Sequence, residues 1–166
     1  MEYLDIVTED NVIIDRASRS ECHGNPHLIH RAAHILIFNS HGQLLLQKRS
    51  MNKDIQPGKW DTSVGGHVDS GETYEKAAYR ELFEELGIQG IPLEYLYDYK
   101  MRNEIESENI RSFFCIYDGH IRFNRDEIDD VRFWKIEEIK VHMGRGIFTP
   151  NFEQEITLYL QRHHHD

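Results

Sequence analysis

Long hydrophobic runs are missing from this 166-residue chain. No stretch approaches the roughly 18 consecutive apolar residues that a membrane span requires. The first ten residues, MEYLDIVTED, lack the basic segment and apolar run of a secretory signal. Cysteine is scarce: Cys22 and Cys115 are the only two and stand far apart, so no disulfide framework is indicated. A reducing cytoplasm is the expected setting. Positive charge is also short, with 19 lysines and arginines against 29 acids and a net charge of −10. That balance argues against nonspecific binding to nucleic-acid polymers or to membrane surfaces. It does not exclude phosphorylated small molecules, because bound metal ions invert the local field. Internal repeats, low-complexity tracts and linkers are absent too. What remains is an ordinary composition, 39% hydrophobic and 29% charged, read as a single domain over residues 1–166. A chain of this size buries roughly 68–70% of its unfolded surface.

Hydrophobic patterning gives the elements in order. Residues 3–7 and 12–16, separated by Thr8-Glu9-Asp10-Asn11, read as a β-hairpin with polar turn chemistry. Residues 22–30 (CHGNPHLIH) read as a loop broken by Gly24 and Pro26. Strands follow at 34–39 and 44–49, turned by Ser40-His41-Gly42. A polar loop closes at Pro57-Gly58, and a short strand is expected over 59–64. Further strands are read at 91–102, 110–117 and 130–136, with a charged loop over 103–109. Pro150 opens a closing helix through Leu160, with Phe152, Ile156, Leu158 and Leu160 as packing residues.

The most informative stretch is residues 65–88, GGHVDSGETYEKAAYRELFEELGI. Its spacing predicts a helix from about Thr73 to Gly87, capped from Ser70 or Gly71 and stopped by the glycine. Glu81, Glu84 and Glu85 fall on one face, and Ala78, Leu82 and Leu86 form the neighbouring apolar stripe, which packs on a sheet. Like charges at this spacing cost roughly 0.2–0.5 kcal/mol for each i,i+4 pair. Arg80 alone does not balance three anions. A solvated acidic face is one explanation of the cluster. The other is a hard divalent cation with oxygen ligands, and Mg2+ is commonly held by one or two carboxylates together with substrate phosphates.

The whole pattern goes further than the helix. Gly66, Glu72, Arg80-Glu81-Leu82, Glu84-Glu85 and Gly87-Ile88 stand at the spacing of the Nudix signature, about nine specified positions over 23 residues. The chain therefore resembles the Nudix hydrolase superfamily. The resemblance implies an α/β/α sandwich with a mixed sheet and a loop-helix-loop motif, and metal-dependent attack of water on a diphosphate linkage. It makes the Gly65 carbonyl, Glu81, Glu84 and Glu85 the ligands of Mg2+, with Mn2+ as a substitute. Arg80 orients these carboxylates, and Glu72 either steadies the loop through Arg80 or is a plain helix-start acid. Members often add a loop carboxylate as ligand or base. Here the candidates are Glu106, Glu108, Asp126 and Glu127, with Glu127 preferred and a solvated loop acid the alternative for each.

The flanking stretch HLIHRAAHILIFNSHGQLLLQKRSMNKDIQPGKWDTSVGGHVDSGE is similar to the isopentenyl diphosphate isomerase branch. By that resemblance His23, His30 and His67 form a second metal site, whose imidazoles suit Zn2+ or Mn2+. His34, on an apolar strand, is instead expected to be a satisfied core residue. The branch's acid/base cysteine falls at Gly65, which has no side chain to move a proton, and Glu106-Ser107-Glu108 only loosely echoes its Glu-x-Glu pair. A hydrolase is therefore expected, with Glu81, Arg80, Glu85 and Glu127 catalytic and a nucleoside diphosphate derivative or similar phosphorylated small molecule as substrate. The rivals are an isomerase and a silent binding domain. Trp60, Tyr97 and Trp134 are of a type to stack on a base, although core packing is their commoner use. A homodimer is the default assembly. His163-His164-His165-Asp166 is assigned no function.

Overall fold

The computed structural model describes residues 2–163. Nine strands form one sheet among them. In chain order the elements are β1 (Tyr3–Val7), β2 (Ile13–Ser18), α1 (Arg19–Cys22), β3 (Ile29–Phe38), β4 (Leu44–Arg49), β5 (Trp60–Asp61) and β6 (Val64–His67). These are followed by α2 (Tyr74–Leu86), β7 (Glu94–Arg102), β8 (Ser107–Ile116), β9 (Ile128–Trp134), α3 (Ile136–His142) and α4 (Pro150–His163). The terminal residues 164–166 of the histidine-rich end lie outside the described residues.

β3 is the hub. It pairs in parallel with β8 over ten residues and antiparallel with β1, β4 and β6. Its run from Ala32 to Phe38 is buried on both faces, as expected of a central strand covered on both sides. Ala33, Ile35 and Ile37 point to one layer, where Tyr74, Ala77, Ala78, Leu82 and Leu86 of α2 meet them. Leu36 and Phe38 point to the other, against Ile136 and Ile139 of α3 and Phe152, Ile156 and Tyr159 of α4. Helices thus cover both faces, and the architecture is the α/β/α sandwich with a mixed sheet. Leu82 and Leu86 are both 0% exposed, and burial of each contributes about 1.5–3 kcal/mol.

The expected stripe of Ala78, Leu82 and Leu86 is the buried face of α2. Gly87 ends the helix in the left-handed conformation at φ 68°. The N-cap differs from expectation: it is Thr73, whose hydroxyl accepts from the Lys76 amide, rather than Ser70 or Gly71. Ser70 spends its hydroxyl on Asp5, and Asp69 to Glu72 form a turn before the helix. The expected short strand over 59–64 is two strands, β5 on β4 and β6 on β3. Two short helices were not anticipated. For α1 a signal was present, the capping box between Ser18 and Glu21. Residues 107–109, expected in a charged loop, extend β8, because Ser107 to Asn109 find register partners in Ile29 to Arg31 and in Lys100 to Arg102. That extension carries Glu108 into the sheet. Cys22 and Cys115 are free and buried.

Candidate active site

α2 presents its polar face to a cavity of about 550 Å3, whose lining includes Gly65, Gly66, His67, Arg80, Glu81, Glu84 and Glu85. The helix lies very close to the loop before it. A Cβ on Gly66 would stand 2.3 Å from Cδ of Glu81, so any side chain there would push Glu81 out of its place. Arg80 is the clamp of this arrangement. Its Nε and one terminal nitrogen bond both oxygens of Glu72 at 2.8 and 2.9 Å. The other terminal nitrogen reaches Glu81 at 2.7 Å and Glu84 at 3.3 Å. Arg80 also donates to the His67 carbonyl, which ties helix to loop. Glu72 in turn accepts from the Asp69 amide. It steadies the loop rather than the first turn of the helix.

Glu85 is treated differently. Its hydrogen bond is from the Gln47 amide, at 2.7 Å, while Gln47 is itself held by the Ser63 carbonyl. Among the described residues no cation pairs directly with Glu85, although the charge of Lys53 acts on it from farther off. Desolvation and the neighbouring Glu81 carboxyl push its pKa well above the ordinary glutamate value. A desolvated carboxyl group beside a second one is of a type that suits a hard cation.

A second cluster sits on the same cavity. His30, His67, Glu106 and Glu108 each offer a donor atom, all within 4.8 Å of one another. Glu108, 5% exposed, faces His30 Nε2 at 3.1 Å and His67 Nε2 at 3.5 Å. Burial would raise the Glu108 carboxyl, but the two imidazoles hold it far below the usual range. Burial and Glu108 together push Glu106 up. His23, placed by resemblance with His30 and His67, is exposed and outside this donor set. It lines an adjoining cavity of about 450 Å3, whose lining includes His30, His67 and Glu106 of the cluster. The structure therefore brings together two of the three expected histidines, along with two glutamates from the start of β8.

Cations line the same cavity. Lys53 pairs with Glu127, the preferred loop carboxylate, which is otherwise half exposed. Arg49 lies 3.5 Å from Asp61. Desolvation lowers the Lys53 amine, and the nearby charges of Arg49 and Arg19 lower it further. Asp126 is exposed and outside the cavity lining. In all, nine carboxylates and four Lys or Arg side chains line the cavity, so its field is negative unless a metal ion enters.

His34, expected in the core, is buried but reaches the cavity floor. Its Nδ1 is 2.7 Å from Glu155 of α4. Burial would lower its pKa, but the Glu155 charge lifts it above the ordinary value. Tyr97 and Trp134 are core residues, and Trp60 packs edge-on against Trp134 at 5.4 Å. None of the three lines the cavity. Gln47, the cations Arg19, Arg49 and Lys53, and the approach of His34 to the cavity were not found from sequence, whereas Glu108 was one of four loop candidates. Alternation on β4 was the available signal for Gln47, because it shares a sheet face with Leu45.

Comparison with known proteins bears on the fold and the family. The NUDIX domain family matches residues 28–152. An uncharacterized Nudix hydrolase of Yersinia pestis is 36% identical over 162 residues, covering 98% of this chain and 87% of that protein. The uncharacterized Nudix hydrolase YfcD of Escherichia coli K12 is 34% identical over 166 residues, covering 97% and 88%. Among solved structures, DR0079 from Deinococcus radiodurans superposes with a TM-score of 0.83 at 25% identity, over 94% of this chain and 98% of that one. The NUDIX domain of Shewanella oneidensis NrtR, solved with ADP ribose, shares the fold at a TM-score of 0.64 and 18% identity, covering 88% and 93%.

Proposed function

From the premise that the chain belongs to the NUDIX domain family and is a Nudix-type hydrolase, we propose that it cleaves a diphosphate linkage in a nucleoside diphosphate derivative or similar phosphorylated small molecule. The observation that carries this reading is Glu85: a desolvated carboxyl group beside Glu81, on a cavity that also holds Arg19, Arg49 and Lys53. The carboxylates suit a hard divalent ion, and the cations suit phosphate oxygens.

The Gly65 carbonyl, Glu81, Glu84 and Glu85 would hold Mg2+, with Mn2+ as a substitute. The mixed set His30, His67, Glu106 and Glu108 suits Mn2+ or Zn2+ better. A divalent ion there supplies neutralisation of developing phosphate charge and a lowered pKa for water. The side chains do the rest. Arg80 fixes the rotamer of Glu81, Glu72 fixes Arg80, and Gln47 aims one oxygen of Glu85. Glu81 accepts the proton of the attacking water, with Glu127 as the loop carboxylate that would take over this role. Arg19, Arg49 and Lys53 orient the phosphates before reaction. The product pair is two phosphorylated or phosphate-bearing fragments.

The test is phosphate or fragment release from nucleoside di- and triphosphates, nucleotide sugars, dinucleotide cofactors and isopentenyl diphosphate, each with Mg2+, Mn2+ or chelator. Release from one class that stops with chelator supports the reading. Isoprenoid rearrangement without release, or ligand binding without turnover, would replace it with the isomerase or the silent domain.

A further inference from the structure

Glu155 is 0% exposed and accepts from four side chains. His34 Nδ1 lies at 2.7 Å, Ser112 Oγ at 2.5 Å, Tyr97 OH at 3.1 Å and Tyr99 OH at 3.3 Å. An ionised carboxylate only accepts, so Nδ1 of His34 carries the proton in this pair. Nε2 is then the one ring nitrogen left for a ligand. The register of β3 against β6 sets His34 opposite Gly65. A Cβ at Gly65 would lie 3.2 Å from Cδ2 and 3.3 Å from Nε2 of His34. The open edge of the ring therefore rests on the cavity floor, beside the loop that precedes α2. His34 belongs to neither the carboxylate set on α2 nor the histidine–glutamate cluster.

A buried carboxylate with an imidazole costs desolvation that an apolar pair would avoid. A pair kept only for packing would be closed on every side. This one is closed at Glu155 and open at the cavity. Thr62, 5% exposed and with a hydroxyl that has no partner, stands at the same place, its methyl group 3.5 Å from the same Cβ position.

Building on the diphosphate-cleaving reading of the cavity, we propose that His34, held through Nδ1 by Glu155, is a substrate-positioning residue whose Nε2–H, carried by the imidazolium, donates a hydrogen bond to a phosphate oxygen at the cavity floor. Glu155 acts through it and touches no substrate. A side chain at residue 65 would crowd the ring by a few tenths of an ångström. The cations of Arg19, Arg49 and Lys53 and the imidazole of His34 then hold the same phosphorylated group from separate elements.

The full chain labelled with 15N is titrated with pyrophosphate in the presence of Mg2+, and the imidazole nitrogens are followed by NMR. The His34 Nε2 signal is expected to shift and saturate with pyrophosphate, and to stay in place with Mg2+ alone. His34→Gln is expected to raise KM about tenfold, the loss of one charge-assisted hydrogen bond. Its kcat and its Mg2+ requirement change far less. Glu155→Gln, which keeps the shape of the buried side chain, is expected to produce a smaller rise in KM. If backbone amides of the α2 loop shift while His34 does not, the inference is wrong and the cavity reading stands. If no cavity signal moves with pyrophosphate, the cavity reading itself fails, and this inference with it. A folded His34→Gln variant with unchanged KM also overturns the inference.

Discussion

Two glutamates face one cavity and are driven in opposite directions. Burial would raise both. Glu108 meets two imidazoles, and their hydrogen bonds and charge hold it far below the usual glutamate range. Glu85 meets another carboxyl group and the amide of Gln47, and it is pushed well above that range. The protein answers the charge of Glu108 from within. At Glu85 it leaves the charge unanswered, with Arg80 committed to Glu72, Glu81 and Glu84. On this difference rests the proposal that a cation binds at Glu85 rather than at Glu108.

The comparison can be broken most severely at Glu85. Glu85→Gln removes charge but little volume, so turnover should fall on the order of 10²–10³-fold, as when a developing charge loses a fixed partner. The metal-free melting temperature should hold or rise, because the repulsion with Glu81 is gone. Steady-state kinetics and a thermal melt on the same preparation check both halves. Arg80→Ala comes next. It frees Glu72, Glu81 and the His67 carbonyl together, and a 10–100-fold loss is expected, the usual cost of removing a group that orients ligands.

Stability against pH separates the two glutamates without any substrate. Glu85 binds its proton more tightly in the folded chain than in the unfolded one. Its contribution is therefore complete below the ordinary value of 4.5 and is lost as pH rises through its elevated folded value. Glu108 is the reverse: its contribution is present above 4.5 and is lost as pH falls toward its depressed folded value. Melting curves of the metal-free protein should thus lose stability on both sides. Glu85→Gln should flatten the high-pH side, as should Mg2+, and Glu108→Gln the low-pH side. The smallest effect is expected at Glu127. Its pairing with Lys53 is exposed, so Glu127→Gln should change stability by less than about 1 kcal/mol. It should lower turnover less than Glu81→Gln does.

The contrast also marks what the sequence could disclose. The carboxylate face of α2 was legible because its spacing is local: Glu81, Glu84 and Glu85 lie within a turn, and Leu82 and Leu86 fix which side is buried. Gly66 and Arg80 could be read for the same reason. Glu108 was read only as one of four loop carboxylates and Glu127 was preferred to it, because its place depends on β8 starting at Ser107, and that start is fixed by partners on β3 and β7 rather than by neighbours in the chain. His34 was correctly expected to be satisfied within the core, yet its second nitrogen reaches the cavity through a glycine 31 positions away. Local patterning decides which residues share a face, and long-range register decides which faces meet.

The most direct test of the account is a Mg2+ titration of diphosphate cleavage by the natural chain and by Glu85→Gln, side by side on the best substrate of the panel. Saturable activation by Mg2+ is expected in the natural chain and almost none in the variant, with both proteins folded. Equal turnover and an equal Mg2+ requirement in the two would contradict it.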